Sequence, residues 1–137
     1  MNRRKAREYA LQMLFQHEFS GDNKGWSAPD GFWSGGEDAG EAGEFARRLV
    51  TGTLEHLEEI DGAIQRAAEH WDMKRMAAVD RNILRFAVYE ILYVKDIPPA
   101  VTINEALEIA KKYSSLESAS FINGLLDKIA KESRKLA

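Results

Sequence analysis

The stretch from Met73 to Val94 restricts the fold of this chain more than any other segment. Its apolar residues recur with helical spacing but spread over most of the helix circumference, and they are Met76, Val79, Ile83, Leu84, Phe86, Ala87, Val88, Ile91 and Leu92. A helix that is apolar nearly all round must be covered by other elements. We therefore predict a central helix over 73–94, which Ile97-Pro98-Pro99 terminates because proline lacks an amide donor and disfavours a helical residue before it.

Helical spacing also accounts for most of the remaining chain. Apolar stripes predict helices through residues 6–17, 45–57, 60–71, 106–113 and 122–129. The first should end near Ser20, and a break is expected between Glu59 and Gly62. Capping boxes that begin at Thr102 and at Ser114 predict the starts of the last two helices. Because no segment alternates as a strand does, the predicted fold class is all-α, a compact domain of about seven helices.

The segment from Gly21 to Gly43 departs from this regularity. It holds seven of the chain's ten glycines and also Pro29, so we predict an irregular stretch over 21–43. Three aromatic residues lie within it: Trp26, Phe32 and Trp33. Aromatic rings are rare in a solvated linker, so these either pin the segment to the core as a satellite cluster or form a binding face.

Length and composition exclude several classes of protein. The 137 residues fit a single domain, with an N-terminal helical half over about 1–71 and a C-terminal half over about 72–137. The chain has no cysteine, no apolar run of membrane-spanning length and no signal-peptide pattern, so we expect a soluble cytoplasmic protein. Phosphate-loop, dinucleotide, metalloprotease and nucleophile-elbow motifs are absent, and the three histidines are isolated from one another. We therefore expect no enzymatic activity, no cofactor and no metal site.

Four cations crowd the first turns of the first predicted helix, in a chain whose net charge is -3: Arg3, Arg4, Lys5 and Arg7. They repel one another and oppose the partial positive charge of a helix start. The cluster is either a solvated, frayed terminus or a contact for a phosphate backbone, which would reward it through counterion release. In the second case an ordered helix would present Arg3, Arg4 and Arg7 to successive phosphates.

Phe121 lies about 90° from the centre of the last apolar stripe, at its edge. Asn123 and Gly124 follow it. A glycine inside a helix costs about 1 kcal/mol relative to alanine, which suggests a close approach by another helix or chain. Phe121 and Asn123 therefore belong either to helix packing or to a surface where the ring stacks on a base and the amide hydrogen-bonds nearby.

Two acidic residues, Asp80 and Glu90, fall on the apolar side of the predicted central helix, while Arg81 and Arg85 lie roughly opposite. A carboxylate among apolar side chains needs a hydrogen-bond donor or must stay wet. Glu90 is expected to accept from backbone amides at the start of the helix near Thr102. The other interpretation is that the acids mark a partner surface, for which Asp80 is the candidate.

Four ordered blocks of sequence resemble the NusB family of transcription antitermination factors. They are RRKAREYALQMLFQ at 3–16, VDRNILRFAVYEIL at 79–92, IPPAVTINEALEIAKKY at 97–113 and SFINGLLDKIAK at 120–131. The resemblance implies two small helical bundles that share a central helix, and no enzymatic activity. It also implies binding of boxA-type single-stranded RNA jointly with NusE, a ribosomal protein of the small subunit. The expected setting is a transcription elongation complex with other Nus factors, chiefly on ribosomal RNA operons.

By position, the resemblance assigns RNA binding to Arg3, Arg4, Lys5, Arg7, Phe15, Phe121 and Asn123. It assigns the side that faces NusE to Asp80, Arg85 and Glu90. The chain departs from the family over 21–43, where a more regular second helix is usual. Both a monomer and a homodimer are compatible with the resemblance. The alternative function is a non-catalytic protein-binding adaptor without RNA contact. A fused RNA methyltransferase is excluded, because the chain has no room for a cofactor-binding α/β domain.

Overall fold

The computed structural model describes residues 2–20 and 38–136, which form six α-helices and one 3-10 turn. The helices are α1 (Arg3–Ser20), α2 (Asp38–Glu55), α3 (Leu57–Ala68), α4 (Ala78–Tyr93), α5 (Pro99–Tyr113) and α6 (Leu116–Leu136), and the turn is Met73–Arg75. No strand occurs in these ranges, so the all-α prediction is confirmed, as is the end of the first helix at Ser20. None of these helices combines the length and the apolar character needed to cross a bilayer.

Helix α4 lies at the centre of the molecule and packs against each of the other five helices. The helices α1, α2 and α3 cover it from the N-terminal half of the chain, and α5 and α6 cover it from the C-terminal half. Five of its apolar side chains have no exposed surface: Ile83, Leu84, Phe86, Ala87 and Val88. The prediction of a shared central helix is thereby confirmed. Burial of each large apolar side chain contributes about 1.5–3 kcal/mol, so this helix makes a substantial contribution to the hydrophobic stabilisation.

The central helix is shorter than predicted, because it begins at Ala78. The preceding 3-10 turn is capped by Asp72, whose carboxylate accepts from a backbone amide of the turn at 3.0 Å. The backbone then becomes extended at Met76. Met73 and Met76 are buried all the same, which is why the apolar pattern alone extended the helix too far.

The break between α2 and α3 falls at His56, whereas it was predicted between Glu59 and Gly62. The helical hydrogen bonds continue across it, from the His56 amide to the Gly52 carbonyl at 3.1 Å and from the Ile60 amide to the His56 carbonyl at 2.9 Å. The His56 ring stacks on the ring of Tyr93, with their centroids 4.1 Å apart. The bend therefore coincides with a packed ring, while the glycine is accommodated inside α3.

The two predicted capping boxes do not start the last two helices. Helix α5 begins at Pro99, a position where the missing amide proton is not needed. Thr102 thus lies one turn inside α5, and its hydroxyl donates into the core instead. Helix α6 is capped by Ser115, whose Oγ accepts from the Ser118 amide at 3.0 Å, one residue later than the predicted Ser114.

Helix α2 begins at Asp38, so positions 38–43 of the predicted irregular stretch are helical. The prediction was wrong there because burial outweighs the cost of helical glycine: Ala42 and Phe45 already belong to the core. The predictions for the three aromatic residues Trp26, Phe32 and Trp33 lie outside the described residues.

Two helical glycines have opposite surroundings. A Cβ added to Gly52 in α2 would lie 2.2 Å from the ring of Tyr89 in α4, so only glycine lets the two helices approach so closely. Around Gly124 in α6, no atom of the described residues lies within 4 Å of such a Cβ. Within residues 2–20 and 38–136 the expectation that another helix approaches Gly124 is therefore wrong.

Candidate nucleic-acid interface

The basic start of the chain forms the first turn of α1. The helix begins at Arg3, and Oδ1 of Asn2 accepts from the Lys5 amide at 3.0 Å, which caps the helix with a neutral side chain. The side chains of Arg3, Arg4 and Lys5 are exposed. Three cations therefore lie together on the surface at a helix start, where neither the macrodipole nor their mutual repulsion favours them.

Each of these exposed cations also has a local contact. Arg4 donates from Nε to Glu105 of α5 at 2.6 Å, and this hydrogen bond raises the pKa of Arg4. The Arg3 guanidinium and the Lys5 ammonium lie 5.4 and 5.7 Å from the centroids of neighbouring aromatic rings. An exposed ion pair contributes at most about 1 kcal/mol. These groups can therefore exchange their present partners for phosphates at little cost.

Arg7, the fourth cation of the cluster, is inside the molecule, with 1% of its surface exposed. Its Nε and Nη2 donate to the two carboxylate oxygens of Glu90 in α4, each at 2.8 Å, and the Thr102 hydroxyl of α5 donates to the same carboxylate at 3.1 Å. The expectation that Arg7 joins Arg3 and Arg4 in facing successive phosphates is therefore corrected. A buried charge must be paired, and Arg7 reaches Glu90 only because α1 packs against α4.

The candidate partner residues of α4 occupy three different environments. Glu90 has no exposed surface and accepts from side chains of α1 and α5, so it neither caps α5 through backbone amides nor reaches a partner surface. Arg85 forms a bidentate pair with Asp61 of α3, at 2.9 and 3.0 Å. Asp80 is mostly buried and accepts from the Ser118 hydroxyl of α6 at 2.8 Å. The structure therefore does not bring the three residues to one surface.

Glu18, near the end of α1, ties that helix to the start of α4. Its carboxylate accepts from Arg81 at 2.6 Å, from Asn82 at 3.0 Å and from Arg85 at 3.3 Å. Burial opposes ionisation of Glu18, but the hydrogen bonds from Arg81 and Asn82 and the charges of the two arginines outweigh it, so the pKa of this carboxyl is lowered. The sequence pattern did not reveal Glu18, because nothing in the spacing of α1 distinguishes it.

Phe121 stands at the edge of the α6 stripe, as predicted, and is 37% exposed. Its ring meets that of Trp71 edge to face, with centroids 6.3 Å apart. Asn123 on the same helix is exposed. Phe15 is half-buried and packs on Phe19, with centroids 4.8 Å apart. An aromatic ring and an amide are thus accessible on α6, while Phe15 belongs to a separate aromatic pair on α1.

Separate polar contacts tie the end of α5 to α1 and the start of α6 to α4. Lys112 of α5 donates to Glu8 of α1 at 2.8 Å, and this hydrogen bond raises the pKa of Lys112. Two residues further on, the hydroxyls of Ser114 and Ser118 lie 3.0 Å apart, and Ser118 in turn donates to Asp80. Lys112 thus joins α5 to α1, and Ser118 joins α6 to α4.

Three exposed residues on or beside α5 and α6 were not predicted as site residues: Trp71, Lys112 and Tyr113. The sequence pattern assigned Trp71 and Tyr113 to apolar stripes, but they are 53% and 48% exposed. Lys112 follows Lys111 in the last turn of α5, where cations complement the helix dipole. Because the helix dipole is a sufficient reason for two lysines at the end of α5, their position in the sequence gave no signal of a ligand.

Comparison with known proteins points to one family. The chain matches the model of the NusB family over residues 4–131. It is 50% identical to the transcription antitermination protein NusB of Thermodesulfovibrio yellowstonii, over 96% of this chain and 93% of that protein. The structure of T. maritima NusB is similar with a TM-score of 0.82 and 43% identity, covering 96% of this chain and 92% of that one. A crystal structure of antitermination factors NusB and NusE in complex with dsRNA contains a chain with a TM-score of 0.75 and 27% identity, at coverages of 95% and 96%.

Proposed function

The chain belongs to the NusB family, and on this basis we propose that it is a transcription antitermination factor. It binds boxA-type single-stranded RNA together with NusE and acts in the cytoplasm, with other Nus factors, on elongating RNA polymerase, chiefly at ribosomal RNA operons. It is a binding component and not an enzyme. The observation that carries the RNA-binding part is the exposed basic turn of Arg3, Arg4 and Lys5, to which the exposed ring of Phe121 on α6 adds a stacking group.

The basic turn supplies the electrostatic part of binding. Arg3, Arg4 and Lys5 neutralise phosphates of the RNA backbone and release condensed counterions, and the planar guanidinium groups match phosphate geometry. Within the described residues this turn concentrates only three exposed cations. The affinity of the chain alone is therefore modest and falls steeply with salt, and NusE completes the RNA surface. Arg7 contributes indirectly, because its buried pair with Glu90 holds α1 in place.

The start of α6 supplies the contacts to bases. The exposed ring of Phe121 stacks on an unpaired base, and the exposed amide of Asn123 hydrogen-bonds to a base edge or sugar nearby. Phe15 offers the edge of a half-buried ring. On the NusE side, Asp80 and Arg85 keep some exposed surface, whereas Glu90 keeps none.

Fluorescence anisotropy with labelled RNA tests this function. A boxA-type RNA and a scrambled RNA of the same composition are titrated with the chain alone and with the chain plus NusE. We expect tighter binding of the boxA-type RNA, and a further gain when NusE is present. Equal affinities for the two RNAs in the presence of NusE would contradict sequence-specific binding.

Phe121→Ala tests the base contact. Loss of one stacked base costs about 1–3 kcal/mol, so the affinity for boxA-type RNA should fall about fivefold to hundredfold. The matched control is Leu116→Ala, because Leu116 is 73% exposed on the same helix but has no ring. Equal losses of RNA affinity in Phe121→Ala and Leu116→Ala would contradict a stacking role of Phe121.

A protein-binding adaptor is the competing function. It predicts that the variant Arg3→Ala/Arg4→Ala/Lys5→Ala binds NusE normally and that added RNA brings no gain in NusE affinity. Deleting residues 1–7 would not separate the two functions, because it also removes the buried Arg7. Analytical ultracentrifugation of the chain alone, with RNA and with RNA plus NusE gives the stoichiometry and shows whether a homodimer competes with either partner.

A further inference from the structure

We propose that Lys112, in the last turn of α5, binds a phosphate of the RNA backbone beside the phosphates held by the basic turn of α1. The inference rests on the proposed RNA binding and adds to it a contact residue outside α1. Lys111 precedes Lys112 on the same helix and is exposed as well, yet it pairs within α5, so it takes no part in the proposed contact.

Two ion pairs bridge α1 and α5, and in both the cation is far more exposed than the acid. Arg4 of α1 pairs with Glu105 of α5, and their side chains are 49% and 20% exposed. Lys112 of α5 pairs with Glu8 of α1 at 2.8 Å, and their side chains are 62% and 18% exposed. An anion from solvent therefore reaches the guanidinium and the ammonium more readily than it meets either carboxylate.

The two bridging pairs lie close together on α1. Glu8 follows Arg4 by four residues, which places the two side chains on the same face of the helix, one turn apart. The pKa of Arg4 is raised mainly by its hydrogen bond and charge interaction with Glu105, and the charges of Glu108 and Glu8 add to the effect. Glu8 therefore acts on both cations, and Lys112 extends the basic turn onto α5.

The side chain of Lys112 is held in place and still has donors to spare. Its ammonium donates to Glu8 and lies 5.2 Å from the centroid of the Tyr113 ring. An ammonium carries three N–H donors, of which Glu8 takes one. A phosphate oxygen can accept from another donor without breaking the pair, so binding requires little further ordering of the side chain.

The preceding residue, Lys111, has different surroundings. Successive side chains of a helix point about 100° apart, and Lys111 pairs with Glu108 of its own helix at 3.4 Å. Glu108 is 41% exposed, so an anion near Lys111 would also meet a carboxylate. The two lysines thus carry the same charge, but one lies beside the basic turn and the other beside an accessible acid.

The salt dependence of RNA binding tests the contact, measured by fluorescence anisotropy with boxA-type RNA in the presence of NusE. Lys112→Ala should make the slope of log affinity against log salt less steep by about 0.7, the value for one phosphate contact on a single strand. The affinity at low salt should fall about twofold to fivefold, as for loss of an exposed ion pair. Lys112→Arg keeps the charge and should retain the wild-type slope. Lys111→Ala is the matched control and should leave the slope unchanged.

A double variant separates the contact from the acid that Lys112→Ala leaves behind. Without Lys112, the carboxylate of Glu8 has lost its ion-pair partner, and its charge would itself repel the RNA. Lys112→Ala/Glu8→Gln removes both charges, and the loss of slope should persist in it. A return to the wild-type slope in the double variant would assign the effect to Glu8 and overturn the proposal.

Other outcomes would also overturn it. Equal slopes for Lys112→Ala and the wild type, or equal changes in Lys112→Ala and Lys111→Ala, would exclude a specific phosphate contact by Lys112. Weaker NusE binding by Lys112→Ala in the absence of RNA, together with an unchanged salt slope, would assign Lys112 to the protein partner. The proposed function itself fails only if the wild type binds boxA-type RNA no better than scrambled RNA, so the two failures are distinguishable.

Discussion

Arg4 and Arg7 lie one turn apart on α1, yet the first belongs to the surface and the second to the core. Arg4 keeps 49% of its side chain exposed and pairs with Glu105. Arg7 is enclosed with Glu90 and Thr102, and every member of that group is hydrogen-bonded. An exposed pair contributes at most about 1 kcal/mol, whereas breaking a buried pair costs about 3–5 kcal/mol. The same residue type in one helix thus forms an exchangeable surface pair at one position and a structural core pair one turn later.

Glu105 stands between the two regions. Its Oε2 accepts from Arg4 at 2.6 Å, while its Oε1 lies 3.9 Å from Nη1 of Arg7. When a phosphate takes Arg4, Glu105 still has a cation nearby. We therefore expect the nearby Arg7 to lower the cost of releasing Arg4 from Glu105, and the two regions to be linked through this carboxylate.

The largest expected effect comes from removing the buried cation. Arg7→Ala leaves the Glu90 carboxylate enclosed without its partner and should lower the free energy of unfolding by about 3–5 kcal/mol. Urea denaturation measures this, with Arg4→Ala as the matched control at a loss below about 1 kcal/mol. Combining Arg7→Met with Glu90→Leu should recover most of the loss. Similar losses for Arg7→Ala and Arg4→Ala would erase the distinction between core and surface.

The opposite result is expected for the surface cations. The variant Arg3→Ala/Arg4→Ala/Lys5→Ala should keep its unfolding free energy within about 1 kcal/mol of the wild type, yet bind boxA-type RNA much more weakly. The slope of log affinity against log salt should become less steep by about 2, since each lost phosphate contact accounts for about 0.7 on single strands. Lys131→Ala, which removes an exposed cation of α6, serves as control. An unchanged salt slope in the triple variant would exclude phosphate contacts by this turn.

A pair of glycines extends the comparison from charge to packing. Gly52→Ala should destabilise the protein by about 1–3 kcal/mol, as other overpacked cores do, because the new methyl meets the Tyr89 ring. Gly124→Ala should stabilise it by about 0.5–1 kcal/mol, since its methyl faces open space in a helix. Thermal unfolding of the two variants shows whether Gly52→Ala lowers the stability and Gly124→Ala raises it. A neutral Gly52→Ala would mean that α2 and α4 can move apart without cost.

The smallest expected effect is a dependence of stability on pH at Glu18. Its pKa is lowered in the folded protein, so its contribution is present above the ordinary value of 4.5 and is lost as the pH falls through the folded-state pKa. Glu18→Gln should lack this contribution. Urea unfolding of both proteins at neutral pH and at a series of pH values below 4.5 should therefore show the two stabilities converging at low pH. If the unfolding free energies of the wild type and Glu18→Gln changed in parallel with pH, Arg81 and Arg85 would not stabilise the charged form of Glu18.

Properties that depend on one segment were predictable. The apolar circumference of 73–94 indicated a covered central helix, and the stripe of α6 placed Phe121 at its edge, where it is partly exposed. Helix boundaries were less predictable, because other elements set them. A ring of α4 packs at the bend near His56, and a proline at the first helical position opens α5 one turn before Thr102.

The amino-acid order of α1 already determines an amphipathic helix with a basic first turn, because side-chain direction repeats with the helical period. It does not determine that Arg7 is buried while Arg3, Arg4 and Lys5 remain outside. That division depends on Glu90, which is 83 residues away in the chain, and on the hydroxyl that α5 contributes to the same carboxylate. A charge can leave water only where other helices supply its partners, and periodicity along one helix contains no information about them.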